Sequence, residues 1–261
     1  MRLILAALFV YRDSIMSGSV KFSFAQYVRQ LLAEHKGERV YYFTYGNKNY
    51  WLKQPEQLKG VWHLLKPHPQ QAFQNELRSL QYLAQRQAPV PKLAAFGEDY
   101  LVLEDGGKSV ANWVDDNIPT QTKQQILLDC AKALAQLHQQ GLVHGRPAIR
   151  DILWHDGRVL FIDFEVDATK RNLPRQKVRD LILFIYNLCR EENISDETIR
   201  MVMRGYQQDC EPQEWQDMMS SVCHYRFLYY LLLPFKYIAK KDLIGVYRLF
   251  RNVEKVKRGE A

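Results

Sequence analysis

Residues 142–165 read L-V-H-G-R-P-A-I-R-D-I-L-W-H-D-G-R-V-L-F-I-D-F-E. Two short runs of β-type apolar residues, Ile152–Trp154 and Val159–Ile162, flank His155-Asp156-Gly157, the pattern of a hairpin with a Gly-containing loop. An acid stands at each mouth, Asp151 before the first run and Asp163 after the second. Hairpin ends lie side by side, so the spacing predicts that the two carboxylates converge. Such a pair beside a His-Gly loop suits Mg²⁺ carrying phosphates, because hard cations take oxygen ligands.

The residues leading into this stretch predict a support for it. Thr122 with Gln125 has capping-box form, and Ile126, Cys130, Leu134, Leu137 and His138 fall on one stripe of a helix that Gly141 ends. His138, on the inner edge, reads as a packed histidine. After the stretch comes a basic, Pro-broken loop (Lys170, Arg171, Pro174, Arg175, Lys177), then the apolar helix Val178–Cys189 with one early acid, Asp180. An acid there complements the helix dipole by itself.

Further upstream, Ser23 and Gln26 bracket the start of a helix over about 24–35, with Phe24, Tyr27, Val28, Leu31 and Leu32 on one face. Val40–Tyr45 and Lys48–Lys53 around Gly46-Asn47 predict a hairpin, with Tyr50 and Leu52 on one face and Trp51 and Lys53 on the other. Phe73, Leu77, Leu80 and Ala84 return to helical spacing, and Glu76 falls inside that apolar stripe. A carboxylate facing a core is costly without a cationic partner, and Lys53 is the candidate. The alternative is that Glu76 edges into solvent and Lys53 is an ordinary surface residue. Ala88-Pro89-Val90-Pro91 ends the helix, and Leu93–Phe96 and Tyr100–Glu104 follow as strands around Gly97-Glu98-Asp99. Asp105-Gly106-Gly107 then breaks the pattern.

The stretch 142–165 resembles the catalytic and metal-binding loops of the protein-kinase-like superfamily. His144 matches the family histidine, Ile152-Leu153 the apolar pair, and Asp163-Phe164-Glu165 the metal-binding triplet. The His-Gly and Asp-Phe-Glu spellings are similar to aminoglycoside-type small-molecule phosphotransferases and bacterial lipopolysaccharide-core (Kdo/heptose) sugar kinases. Two positions depart: the family's catalytic Asp falls on Arg146, and its metal-binding Asn on Asp151.

The resemblance implies an α+β, two-lobed kinase-like fold. A small β-rich lobe with one key helix would occupy residues 1–104, and a larger, mainly helical lobe 105–261. It implies ATP and Mg²⁺ as cofactors, with Lys53 and Glu76 paired to hold the α- and β-phosphates, as in kinase-like enzymes. Hinge backbone near Glu104 would read adenine, and Asp151 and Asp163 would hold the metal. Arg146, Asp151 and Asp163 are the catalytic candidates, supported by His144 and by Asp180 as a cap of the catalytic-loop backbone. The implied acceptor is a hydroxyl of a lipopolysaccharide-core sugar, with a protein hydroxyl or small metabolite behind it. Gly46 alone stands where such folds carry a Gly-rich phosphate loop. Arg146 opens a second reading, a pseudokinase that holds nucleotide or a partner without efficient catalysis.

The chain as a whole sets outer limits. With 261 residues, 47% of them hydrophobic, it can bury one good core. A net charge of +7 and a pI near 9.1 favour anionic partners or simple solubility. No groove-reading motif accompanies the charge, so nucleic acid is not expected. Cys130, Cys189, Cys210 and Cys223 lack C-x-x-C spacing and read as reduced thiols of a cytoplasmic protein. The seven histidines form no paired-ligand pattern. Leu3–Val10 is too short for a membrane span and reads as a core element or an over-extended start. The last 26 residues hold eight Lys/Arg against three Asp/Glu, a candidate for peripheral docking on anionic lipid at the inner membrane face or an exposed basic helix face.

Overall fold

The computed structural model describes residues 23–55, 69–164 and 172–260. The expectations for residues 1–20, Glu165, Lys170 and Arg171 lie outside them. The chain divides into two compact units, residues 1–36 and 37–261. Of the first, the described element is α1 (Phe24–Glu34). Its capping box forms as the sequence predicts: Ser23 Oγ accepts from Gln26 N, and Gln26 Oε1 accepts from Ser23 N at 2.8 Å.

The second unit begins with the hairpin β1 (Val40–Tyr45) and β2 (Lys48–Lys53), turning at Gly46 with φ +60°. Helix α2 (Pro69–Gln85) follows, then β3 (Leu93–Phe96) and β4 (Leu101–Glu104). These strands form an antiparallel sheet in the order β1-β2-β4-β3. Pairing of Lys53 with Leu101 and of Trp51 with Leu103 puts those four residues on one face. Leu101 and Leu103 cluster there with Phe73 and Leu77 of α2. The apolar stripe of α2 runs on through Leu83, whereas Ala84, predicted to belong to it, is exposed. At 100° per residue the stripe drifts, and Leu83 holds the larger apolar side chain.

The chain leaves this sheet at Glu104 and enters a second one at β5 (Lys108–Ser109). The linker is glycine for a steric reason. A Cβ on Gly106 would come within 2.7 Å of Leu153 Cδ1, and Gly107 has φ +98°. β5 pairs with β6 (Ile152–His155), which pairs with β7 (Arg158–Phe161). That is the predicted hairpin, with Asp156 and Gly157 at positive φ in its turn.

The rest is helical: α3 (Val110–Asp115), α4 (Thr120–Gln139), α5 (Leu173–Arg190), α6 (Asp196–Asp209), α7 (Pro212–His224), α8 (Arg226–Leu232) and α9 (Lys241–Lys257). The predicted capping box at Thr122 is not used. α4 starts three residues earlier, with Pro119 in the cap position, where its carbonyl accepts from Lys123 N, and Gln125 bonds Asp129 instead. The predicted stripe is buried throughout, and Leu127, Ala131 and Ala135 are buried beside it. α4 therefore runs through the middle of the core. Around it pack Ile152 and Phe161 of the hairpin, Leu181, Phe184 and Ile185 of α5, and Val202 and Met203 of α6.

α9 locks the helical part through Arg248. Its guanidinium donates to the carbonyls of Cys189 (2.9 Å), Glu191 (2.8 Å) and Ile194, and pairs with Asp196 at 2.7 Å. It thereby satisfies carbonyls at the end of α5 and the carboxylate in the first turn of α6. Arg248→Ala should lower unfolding free energy by about 2–3 kcal/mol, because several charge-assisted bonds are lost together. Urea titration reads this as a lower midpoint at unchanged slope. A loss below about 0.5 kcal/mol, the range of neutral surface changes, would show that Arg248 does not hold the α5–α6 junction.

Candidate active site

Site geometry begins with backbone hydrogen bonds that a carboxylate imposes on a loop. Asp180, almost fully buried on α5, accepts from His144 N at 2.6 Å and from Gly145 N at 2.9 Å. One carboxylate thus fixes two successive peptide groups of the loop after α4. Asp180, expected from the resemblance at this loop, is placed against its peptide groups at 144 and 145.

His144 carries the constraint onward. Its Nε2 lies 2.9 Å from Ile162 O, and its Nδ1 accepts from Arg146 N at 3.3 Å. A carbonyl only accepts and an amide N–H only donates, so the ring must carry its proton on Nε2. The imidazole also stacks on Phe164, with ring centroids 4.6 Å apart at 23°. One side chain therefore positions the loop at 146 and the strand end at 162–164.

The hairpin mouth lies between these points. Ile162 N donates to Asp151 O at 2.9 Å, which brings the two mouths together. Asp163 follows with φ +57° and an exposed side chain. Left-handed backbone is uncommon for a non-glycine residue, although Asp tolerates it. Asp151 is buried, and its Oδ2 has no hydrogen-bond partner. Its carboxyl is pushed above the usual range, first by burial and then by the negative charge of Asp163. The guanidinium groups of Arg150 and Arg146 act in the opposite direction. The charges of Asp163 and Arg146 thus both act on Asp151. A buried carboxylate oxygen without a donor beside a second carboxylate suits an oxygen-coordinated divalent cation.

Across the first sheet, Lys53 Nζ is 3.0 Å from Glu76 Oε1. Lys53 shares its face with Leu101, on which α2 packs through Phe73 and Leu77, so Glu76 between those residues meets the lysine. The pair is partly exposed, at 26% and 40% of the side chains. Glu104 is engaged otherwise. Its carboxylate bridges Lys48 (3.2 Å) and Lys92 (3.3 Å), and its N–H donates to Lys92 O. Burial alone would raise the Glu104 carboxyl, but the two ammonium groups hold it below the usual range.

A set of residues beneath the loop escaped sequence reading. His138 is not merely packed. Its Nδ1 is 2.8 Å from Glu214 Oε1 and 2.6 Å from Tyr206 Oη, and its Nε2 is 3.5 Å from Asp180 Oδ2. Tyr206 Oη also donates to Glu214, whose second oxygen lies 3.6 Å from Lys177 Nζ. All of these groups are buried. Burial favours neutral His138, but the nearby Asp180 carboxylate and the hydrogen bond to Glu214 outweigh it and raise the imidazole. Against its own burial, the bonds from His138 and Tyr206 and the charge of Lys177 hold the Glu214 carboxyl low. The inward position of His138 was legible. Glu214 was not, since an acid just after Pro212 reads as an ordinary first-turn residue.

This network makes stability depend on pH. The folded pKa of His138 lies above its ordinary 6.5, so its contribution is complete below that value and is lost as pH rises through the folded one. Glu214 lies below its ordinary 4.5, so its contribution is complete above that value and is lost as pH falls through the folded one. His138→Ala should therefore cost about 3 kcal/mol, as when one partner of a buried pair is removed. The deficit should be greatest between those two ordinary values and shrink on the alkaline side. Urea unfolding of parent and variant across pH 5 to 9 (roughly the range spanning His titration) measures it. A deficit unchanged with pH would mean that His138 contributes packing alone.

The chain is similar to several known proteins. The family model described as lipopolysaccharide kinase (Kdo/WaaP) matches residues 24–206, more than half of the chain. An uncharacterized protein of Haemophilus influenzae is 50% identical over 232 residues, covering 88% of this chain and 96% of its own. Among solved structures, ADP-bound aminoglycoside phosphotransferase APH(2'')-Ib aligns over 89% of this chain and 99% of its own, at 12% identity and TM-score 0.41. The streptomycin–ATP complex of APH(2'')-IIa aligns over 88% and 97%, at 13% identity and TM-score 0.43. By the extent of the family match, the chain belongs to the lipopolysaccharide kinase (Kdo/WaaP) family.

Proposed function

We propose that the protein transfers the γ-phosphoryl group of ATP to a hydroxyl of a lipopolysaccharide-core sugar or a similar acceptor. The observation that carries this reading is the mouth of the β6–β7 hairpin. There Asp151 Oδ2 is buried without a donor, and the charges of Asp163 and Arg146 act on its carboxyl. Asp151 and Asp163 would hold Mg²⁺, which neutralises β- and γ-phosphate charge when bound. Lys53, oriented by Glu76 at 3.0 Å, is suited to the α- and β-phosphates. In the proposed two-lobed division, the linker after Glu104 joins residues 1–104 to 105–261 and offers backbone groups to adenine.

The acceptor oxygen forms a bond to the γ-phosphorus as the bond to the β-phosphate oxygen breaks, and ADP leaves. The hydroxyl proton passes to a phosphoryl oxygen or to the Asp151 carboxylate. Arg146 cannot take it, since a guanidinium stays charged at neutral pH. It can stabilise charge on the transferring group or grip an anionic acceptor. Because the transition state of phosphoryl transfer is loose, positioning and charge stabilisation carry most of the catalysis. A base typically adds about 10²–10⁴-fold, so an arginine at this position is compatible with a slow enzyme. The same arginine is the observation favouring a nucleotide-binding pseudokinase as the second reading.

Asp163→Asn should abolish Mg²⁺-dependent nucleotide affinity while the fold persists, because asparagine also accepts the left-handed backbone. Calorimetry with ATP and ADP, with and without Mg²⁺, tests this. Unchanged Mg-ATP affinity in the variant would remove Asp163 from the metal site. Arg146→Ala should lower turnover by about tenfold or more, the scale of a lost charge stabiliser. If the parent transfers no phosphate and Arg146→Asp gains weak ATP hydrolysis, the pseudokinase reading holds instead. An active parent with an unaffected Arg146→Ala would end the role given to this arginine.

A further inference from the structure

The charged tail expected to meet lipid is, in its helical part, packed: α9 buries Tyr247, Leu249 and Val253. Among the described residues, an exposed apolar surface lies just before it. α8 buries none of its residues, and the 3₁₀ segment Leu233–Ile238 continues outward. Phe227 is 58% exposed, Leu231 64%, Tyr237 99% and Ile238 75%. The segment is nevertheless anchored. Tyr229 packs on Tyr247 and Phe250 of α9, and Tyr247 Oη donates to Leu232 O. The outward display therefore belongs to a docked element.

Charge narrows what covers it. Residues 218–241 carry Arg226, Lys236, Lys240 and Lys241 and no Asp or Glu. Arg226 and Lys241 are partly engaged by Glu254 and Glu191, and Lys240 is exposed. Beside α8, a groove of about 650 Å³ runs between α5 and α7 and ends at Tyr225. Val178 and Ile182 give it an apolar lining, and Arg175, Arg179, His224 and Ser221 give it cationic and polar groups. Tyrosines and aliphatic side chains rimmed by Lys and Arg are the composition of a surface lying at a membrane interface. A second copy of the chain fits less well. A two-fold contact through this face would oppose like charges, and the acids beside it, Glu254 and Glu191, already pair with Arg226 and Lys241. No helix among the described residues is long and apolar enough to cross a membrane.

We propose that α8, the 3₁₀ segment after it and the adjoining arginine-lined groove form a docking surface for an anionic phospholipid bilayer. The apolar and aromatic side chains enter the headgroup region, and Arg175 and Arg179 take lipid phosphates. The reading stands apart from phosphoryl transfer, because binding is measured without nucleotide and should be unaltered in Asp163→Asn.

The test is co-sedimentation of the full chain with phosphatidylcholine vesicles and with phosphatidylcholine–phosphatidylglycerol vesicles, at low and at raised salt. The parent should bind anionic vesicles at least about tenfold more tightly, and salt should weaken this. Arg175→Gln and Arg179→Gln should each cost about 5-fold on anionic vesicles, the effect of one cation near such a surface. The combined change Phe227→Ser, Tyr237→Ser and Ile238→Ser should weaken binding to both vesicle types. Should that variant misfold, the exposed Lys240→Gln gives a second reading, again about 5-fold on anionic vesicles. Equal binding of the parent to both vesicle types, or arginine and Lys240 variants that bind like the parent, would overturn the proposal. So would a dimer in light scattering that the triple substitution dissolves, which would make the face a self-association surface.

Discussion

Two hydrogen bonds from the loop peptides of His144 and Gly145 to the Asp180 carboxylate set the geometry of the candidate site. A carboxylate that is 1% exposed is costly unless its acceptors are used. Here it is used by the two N–H groups, with the His138 ring on its far side. The loop is held by the helix rather than by its own turn propensity. His144, so placed, ties Arg146 N on one side and Ile162 O on the other, which fixes where Asp151 and Asp163 can stand.

Beneath that brace, Asp180, His138, Glu214 and Lys177 alternate in sign, joining α4, α5 and α7, with Tyr206 of α6 completing the set. Buried ion networks of this kind add little net stability over apolar packing, yet removing one member is costly. The network links four helices to one another and, through Asp180, to the loop above. The first sheet works differently. There a partly exposed pair, Lys53 and Glu76, is brought together by the ordinary apolar contact of α2 with Leu101 and Leu103. The ion pair itself is worth little in water, and its significance is the position it gives the lysine.

Local pattern determined a great deal of this protein. Alternation and glycine turns were enough for the hairpins 40–53 and 152–161, because period-2 burial follows directly from strand geometry. Helical periodicity marked α2, α4 and α5, the face of α2 that carries Glu76, and the inward aspect of His138, although the exact starts of α4 and α5 escaped it. The hairpin itself brought its two mouths together at Asp151 and Ile162, since its ends must be neighbours. Tertiary structure decided what depends on which distant elements meet. Asp180 serves two loop peptides 35 and 36 residues away, His138 meets Glu214 76 residues on, and Arg248 closes the α5–α6 junction from 50 or more residues further along the chain. An acid near a helix start reads the same in sequence whether it serves the dipole or a loop, and an apolar segment reads the same whether buried or displayed. Only packing distinguishes them, because burial and long-range pairing are properties of the assembled helices and are absent from any local window.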